Sequence, residues 1–494
     1  MALSQAFVLA NRLTEARSSA MHIVKNYFYT AGYNILILLT PLLTVPYISR
    51  VLGPTGVGIN ASTNSVITYF LLFGTVGITI YGNREIAFIR DNRTTRSKTF
   101  WEIEILQLIT ISTAYLAFLV FLLLEHQFRI YFLYQSFYII AGAFDISWYF
   151  MGIEDFKKTV LRNTLVKLVS LALIFIFVRT RQDTGIYILI LSGSQLIGNL
   201  TLWPYLKHSV DRPDWSQLHI FRHLRSSLAL FIPQIATTVY LALNKTMLWQ
   251  LDSVRSAGFY DYSDKLIKIV LALVTATGTV MLPRIANLYM KRQLDKVKNY
   301  LYVSFDIVLC IAVPMAFGIA GVATTLAPLF FGKSFTSVDL LLMIEAPIVI
   351  LIGISNVLGQ QYLLPTRQTK LFTISVTLGA LVNILCNIPL ILLLGVRGAM
   401  LATLISEACV TGYQLFITRH QLAFKPLIGG WSKYLLSGAI MFGVIYYLNR
   451  SMQASFKNLL LQIGLGIIIY LIMLLFTRPP IWHTLKHIKN SQAR

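Results

Sequence analysis

NREIAFIRDNRTTRSKTF, residues 83–100, runs directly into WEIEILQLITISTAYLAFLVFLLL, residues 101–124. The first segment holds five Lys and Arg, and the second, 24 residues long, holds none. A helix of about 20 apolar residues crosses a hydrocarbon core roughly 30 Å thick. Lys and Arg in the flanking loop mark the cytoplasmic end. The pair therefore predicts a membrane-spanning helix entered from a cytoplasmic loop.

Working outward, the same alternation recurs along the chain. Fourteen apolar stretches are expected as spans, near 27–49, 58–82, 101–124, 130–152, 159–178, 185–205, 227–250, 262–287, 300–323, 338–362, 371–394, 398–417, 432–448 and 458–476. The loops between them alternate between basic and nearly neutral. EDFKK (154–158), KHSVDRPDWSQLHIFRHLRS (207–226), KRQLDKVKN (291–299), PTRQTK (365–370) and TRHQLAFKPLIGG (418–430) belong to the basic set. Only nine of the 42 Lys and Arg fall in the opposite set. An even number of spans places both termini on one side, and the basic tail places that side in the cytoplasm.

Composition agrees. The chain is 56% hydrophobic and 13% charged, with mean hydropathy +0.67. Its net charge of +22 suggests a polyanion partner, but the basic residues are dispersed over cytoplasmic loops rather than gathered on one face, so no nucleic-acid partner is expected. The bilayer is the partner that the charge describes. Cys310, Cys386 and Cys409 lie in separate apolar stretches without CxxC or Cys/His spacing, which predicts neither a metal site nor a disulfide. No nucleophile elbow, Walker loop or HExxH is present, so neither an enzyme nor a bound cofactor is expected. Without a Walker loop, transport must draw on a gradient, the membrane potential or substrate removal.

Shifting the chain by 200 positions aligns Gly58, Ile67, Leu71, Thr75, Thr79 and Arg84 with Gly258, Ile267, Leu271, Thr275, Thr279 and Arg284, six identities in 27 positions. This implies two related lobes. The expected organisation is an N-terminal cytoplasmic extension (1–26), an N-lobe (27–205), a cytoplasmic linker (206–226), a C-lobe (227–417), two further spans (418–476) and a cytoplasmic tail (477–494). Parallel repeats of this kind bind substrate between lobes and rock to alternate access.

Ionisable groups at membrane depth are costly, which makes them site candidates. Lys245, beside Asn244 in LALNKTMLWQ, reads either as a snorkelling side chain or as a cavity cation that holds an anionic head group. Arg284 and its echo Arg84 either anchor the inner face or grip phosphate through the guanidinium fork. Lys167 lies one turn beyond Asn163 on span 5. Glu407, central to span 12, needs a partner or a proton. Glu345 and Asp145 are either structural ion pairs or acids that take up a proton during transport. Asp306, Glu102 and Glu104 read as interfacial.

YISRVLGPTGVGINASTNSVITYF (47–70), DISWYFMGIEDFKK (145–158), LALNKTMLWQL (241–251), GTVMLPRIANLY (278–289), SNVLGQQYLLPT (355–366) and LVNILCNIPLILLLGVRGAMLATLISE (381–407) together resemble Wzx-type polysaccharide flippases of the multidrug/oligosaccharidyl-lipid/polysaccharide exporter superfamily, most of all those of Gram-positive bacteria that handle polysaccharide or teichoic acid. The resemblance runs from about Met21 to about residue 450. It implies a two-lobed, all-α bundle around a cationic cavity in the cell membrane. It also implies transfer of undecaprenyl-diphosphate-linked oligosaccharide from the inner to the outer leaflet, alongside assembly proteins such as a polysaccharide polymerase. Related lipid II flippases carry cavity arginines in span 1. Span 1 here has no Arg or Lys before Arg50, so that set cannot be carried over. A cation-coupled multidrug exporter is the alternative within the superfamily.

Overall fold

The computed structural model describes residues 2–335, 337–423, 427 and 429–482. Most of the expected tail, from 483 onward, lies outside the described residues. The described chain is helical and, among these residues, has no strand. Ten of its helices are long and apolar enough to cross a bilayer. Helices are the open-ended solution in hydrocarbon because each backbone donor finds its acceptor within the segment.

The chain forms two compact units. The first comprises Met1–Thr44 and Val66–Ile235, and the second Val45–Ser65 and Ala236–Arg494. Helix α1 (Ala2–Thr75) therefore contributes to both. It is broken at Gly53, whose φ of 66° is open to glycine at little cost, and Pro54 follows it.

The first unit continues with α2 (Ile78–Ile89), α3 (Arg93–Leu124), α4 (Arg129–Gln135), α5 (Phe137–Ala143), α6 (Ser147–Gly152), α7 (Phe156–Phe177) and α8 (Thr184–Leu200). The single span expected at 130–152 is thus three short helices. The break between α5 and α6 frees backbone carbonyls at membrane depth. Gln107 of α3 satisfies two of them, donating to Gly142 O at 2.7 Å and Asp145 O at 3.1 Å. Its own carbonyl accepts from Trp148 Nε1 at 3.1 Å. Phe100, Trp148, Tyr149 and Phe150 pack around this junction, with the Phe100 and Trp148 rings stacked at 5.5 Å.

The linker at 206–226 is pinned along α3. Trp101 Nε1 donates to Asp211 O, Arg96 donates to Ser209 O, and Arg93 pairs with Asp211 at 2.9 Å. At its end, Glu102 accepts from His219 N at 2.7 Å and pairs with Arg222 at 2.6 Å. His223 lies between Glu102 (2.9 Å) and the Tyr81 hydroxyl (2.7 Å). Two expectations are corrected here. Glu102 and Glu104, read as interfacial, are fully buried within the protein, because the linker and the core helices close over α3. Asp306 is likewise buried, accepting from Tyr434 Oη at 2.5 Å.

The second unit contains the end of α9 (Leu224–Leu251), then α10 (Val254–Met290), α11 (Leu294–Phe331), α12 (Val338–Glu345), α13 (Ile348–Ser355), a π-helical turn (Asn356–Leu363), α14 (Thr369–Leu394), α15 (Val396–Thr418), α16 (Trp431–Ser451) and α17 (Phe456–Thr477). The glycines that the 200-residue echo pairs touch each other within this unit. A Cβ on Gly58 would lie 1.8 Å from Val254 O, and one on Gly258 would lie 2.3 Å from Pro54 O and 2.8 Å from Gly58 N. The backbones of α1 and α10 meet here as small-residue crossings do in membranes.

Two predictions follow from this packing. Gly258→Ala forces backbone apart and should cost about 1–3 kcal/mol, lowering the melting temperature of the detergent-purified protein. Gly193→Ala, with nothing within 4 Å of its Cβ, should not lower it. Unchanged melting of the Gly258 variant would disprove the close crossing. Burial holds the His223 imidazole below its ordinary pKa of 6.5, with Glu102 opposing and the Arg222 charge assisting. The unfolded chain then takes up the proton more readily, so this contribution is intact above pH 6.5 and is lost as pH falls below it. The melting temperature should drop between pH 7 and pH 5, and His223→Phe should flatten that dependence. An equal drop in the variant would rule out His223 as the cause.

Candidate functional site

The buried polar groups of the second unit converge where α9, α10, α12, α14 and α15 meet. Asn244 of α9 donates to Tyr260 Oη at 2.5 Å and to Thr403 Oγ1 at 3.0 Å. Asn387 of α14 donates to Asn244 Oδ1 and to Asn383 Oδ1, both at 2.7 Å. Thr403 returns its hydroxyl to Ala399 O one turn back on α15. Such amide and hydroxyl contacts hold helices together where water cannot.

Lys245 lies beside this nest, about 9 Å from the end of α9 at 1.5 Å per residue. Its ammonium lies 2.8 Å from Asp261 Oδ1, and Lys265 holds the other oxygen of the same carboxylate at 2.5 Å. Asp261 is 3% exposed, so two lysines offset the cost of burying one acid. One turn on, Lys268 pairs with Asp264 at 2.6 Å. Lys245 is thus held by a carboxylate of the neighbouring helix. Asp261, Asp264, Lys265 and Lys268 were not among the expected site residues: Asp261 falls in the expected outer loop at 251–261, and the other three lie in the first turns of the span expected at 262–287. Helix α10 in fact starts at Val254. The acid-to-lysine spacing at i,i+4, twice over, is the signal that could have found them.

Two polar cavities open beside these groups. The smaller, about 50 Å³, is lined by Asn244, Tyr260, Asp264, Lys268, Glu345 and Glu407 among others. Glu345 is 2% exposed, and its Oε2 has no hydrogen-bond partner. The larger, about 380 Å³, lies beside the π-helical turn of the SNVLGQQYLLPT motif and presents Thr275, Ser355, Asn356, Gln360, Ser406 and Glu407. A π-turn displaces side chains from helical register and is common at functional sites. Here Gln361 bridges Asn356 (3.1 Å) and Ser304 (2.5 Å), fixing the turn from behind. Glu407, midway along α15, borders both cavities.

The other expected residues are placed differently. Arg284 is exposed and lies over the Tyr300 ring at 4.2 Å, with a hydrogen bond to its hydroxyl. Arg84 is exposed beside the Tyr81 ring in the first unit. Lys167 is exposed and Asn163 half-buried on α7. The buried cation of that helix is Arg162, which hydrogen-bonds Asn199 and lies 3.9 Å from Asp145. Asp145 also accepts from Ser147 N at 3.0 Å, so it caps α6 across the break. Glu104, fully buried, has neither carboxylate oxygen hydrogen-bonded.

If Lys245 acts only as a structural partner of Asp261, Lys245→Met should lower the melting temperature and Lys245→Met/Asp261→Asn should restore much of it. Breaking one side of a buried pair costs about 3–5 kcal/mol, and removing both sides costs far less. A double variant that folds but fails to transport would give the pair a role beyond folding.

The family model described as "Polysaccharide biosynthesis protein" matches residues 23–289. A protein of Escherichia coli (strain K12) named as an O-antigen transporter is 25% identical over 403 residues, covering 80% of this chain and 96% of that relative. The fold is similar to a solved structure of the lipid II flippase MurJ in an inward closed conformation, with TM-score 0.71 at 18% identity over 92% of this chain and 99% of that one. It is also similar, with TM-score 0.54 at 12% identity over 83% and 99%, to an inward-facing multidrug resistance MATE transporter.

Proposed function

Because the chain belongs to the polysaccharide biosynthesis protein family, we propose that it is a lipid-linked oligosaccharide flippase of the cell membrane. It moves undecaprenyl-diphosphate-linked repeat units of a capsule, exopolysaccharide or teichoic acid from the inner to the outer leaflet by alternating access. The observation that carries this reading is the match to an O-antigen transporter along 96% of that relative's length. Fourteen spans, two lobes at 27–205 and 227–417, and cytoplasmic termini complete the proposal. The chain acts as a transporter and not as an enzyme.

The second unit has suitable chemistry for a glycan. The 380 Å³ cavity presents hydroxyl, amide and carboxylate groups, the donors and acceptors that sugar hydroxyls exchange for water. The buried Oε2 of Glu345, which accepts no hydrogen bond, supports a proton as the coupling ion. Lys245, Arg284, Arg84 and Lys167 remain candidate phosphate contacts, with Asn244 and Asn163 beside them. Of these, Lys245 is the least available, since Asp261 already holds it.

A multidrug exporter is the second reading, favoured by one observation. Asp261, Asp264, Glu345 and Glu407 outnumber Lys245, Lys265 and Lys268 around the nest. Depletion of the protein in its native cell separates the two. Lipid-linked glycan should accumulate in the inner leaflet while efflux of cationic dyes is unchanged. An unaltered leaflet distribution, or lost dye efflux with normal glycan, would refute the flippase reading. Glu345→Gln should fold normally and remove the proton dependence of transport.

A further inference from the structure

A further cavity, in the first unit, has a different character. It is a groove of about 580 Å³ between α7 and α8. At its loop end stand Lys157, Lys158 and Arg162, against one acid, Asp155. Lys158 is held at 2.8 Å from Asp155 and lies over the rings of Phe150 (5.0 Å) and Tyr205 (5.3 Å). Lys157 is exposed. Arg162 is 93% buried by its 7% exposure, and its Nε has no hydrogen-bond partner although it lines the groove.

Beyond the cations the groove turns apolar. Leu165, Val169 and Leu173 follow Leu161 along one face of α7, with Ile197 opposite. Leu161, Leu165, Val169 and Ile197 are each more than half exposed, and only 17% of the apolar window of α7 is buried. A bare leucine stripe on a membrane helix faces hydrocarbon. From Arg162 to Leu173 the stripe rises about 16 Å at 1.5 Å per residue, close to half of a hydrocarbon core of about 30 Å.

We infer that this groove is a binding site for an anionic phospholipid of the surrounding bilayer. Lys157 and Lys158 hold the phosphate, with the charge of the buried Arg162 behind them, and one acyl chain lies along Leu165, Val169 and Leu173. With Asp155 on Lys158 and Asp145 near Arg162, three cations stand against two acids, and the net positive charge favours an anionic head over a zwitterionic one. The groove ends at single-leaflet depth, which suits an acyl chain better than a long polyprenyl tail. The site shares no residue with the polar nest of the second unit and does not rest on the transport reading.

Native mass spectrometry of the full chain in detergent tests it, with dioleoyl-phosphatidylglycerol and dioleoyl-phosphatidylcholine as probes. One phosphatidylglycerol should be retained in preference to phosphatidylcholine. Lys157→Ala/Lys158→Ala should weaken its retention at least about tenfold, each interfacial cation contributing about 1 kcal/mol. Val169→Trp keeps the cations, fills the groove and should also weaken it; its side chain is exposed, so folding is spared. Equal retention of both lipids, or no loss in Val169→Trp, would overturn the proposal. Displacement by free glycerol phosphate would overturn it in favour of a head-group site alone. Displacement of phosphatidylglycerol by undecaprenyl phosphate at equimolar amounts would overturn it in favour of the transported lipid.

Discussion

Hydrocarbon offers no hydrogen bonds, so every backbone group and every charge at membrane depth must find its partner within the chain. Most of the structure answers that constraint. Where the helical ladder is intact, the backbone answers it locally. Where the ladder breaks, as between α5 and α6, a side chain from another helix supplies the missing donor, and Gln107 does so twice. The same demand accounts for Asp261 with two lysines and for Asn244, Asn383 and Asn387 in one chain of amide contacts.

Against that background the exceptions stand out. Glu345 and Glu104 are buried acids with carboxylate oxygens that nothing hydrogen-bonds. The satisfied groups hold the helices in place, whereas an unsatisfied acid is better suited to changing its protonation state. The distinction separates Asp145, tied to Ser147 and near Arg162, from Glu345, although the two look alike in the sequence. Glu407, by contrast, borders both cavities and lies among the hydroxyl and amide groups of the larger one.

The close crossing of α1 and α10 links the echo in the sequence to a contact. Gly58 and Gly258 are equivalent under the 200-residue shift and touch each other in the second unit. Small residues at this point let two backbones approach where any side chain would separate them. The linker has a comparable role in the first unit. It closes over Glu102 and turns what reads as an interfacial acid into the centre of a Tyr81–His223–Glu102–Arg222 network.

Membrane residence was legible in residues 83–124, and the all-helical class in the recurrence of such stretches along the chain, because hydrophobic length and loop charge act locally. The cations and acids at depth were legible as positions, since their cost depends only on where they lie along a span. Their partners were not. Lys245 finds Asp261 on a neighbouring helix that starts eight residues earlier than its hydropathy suggests, and Arg162, not Lys167, turns inward on α7. Periodicity tells how far along a helix a charge lies. Only the packing of one helix against another decides which face it occupies, and so whether the charge is paired, left unpartnered in a cavity, or turned toward lipid.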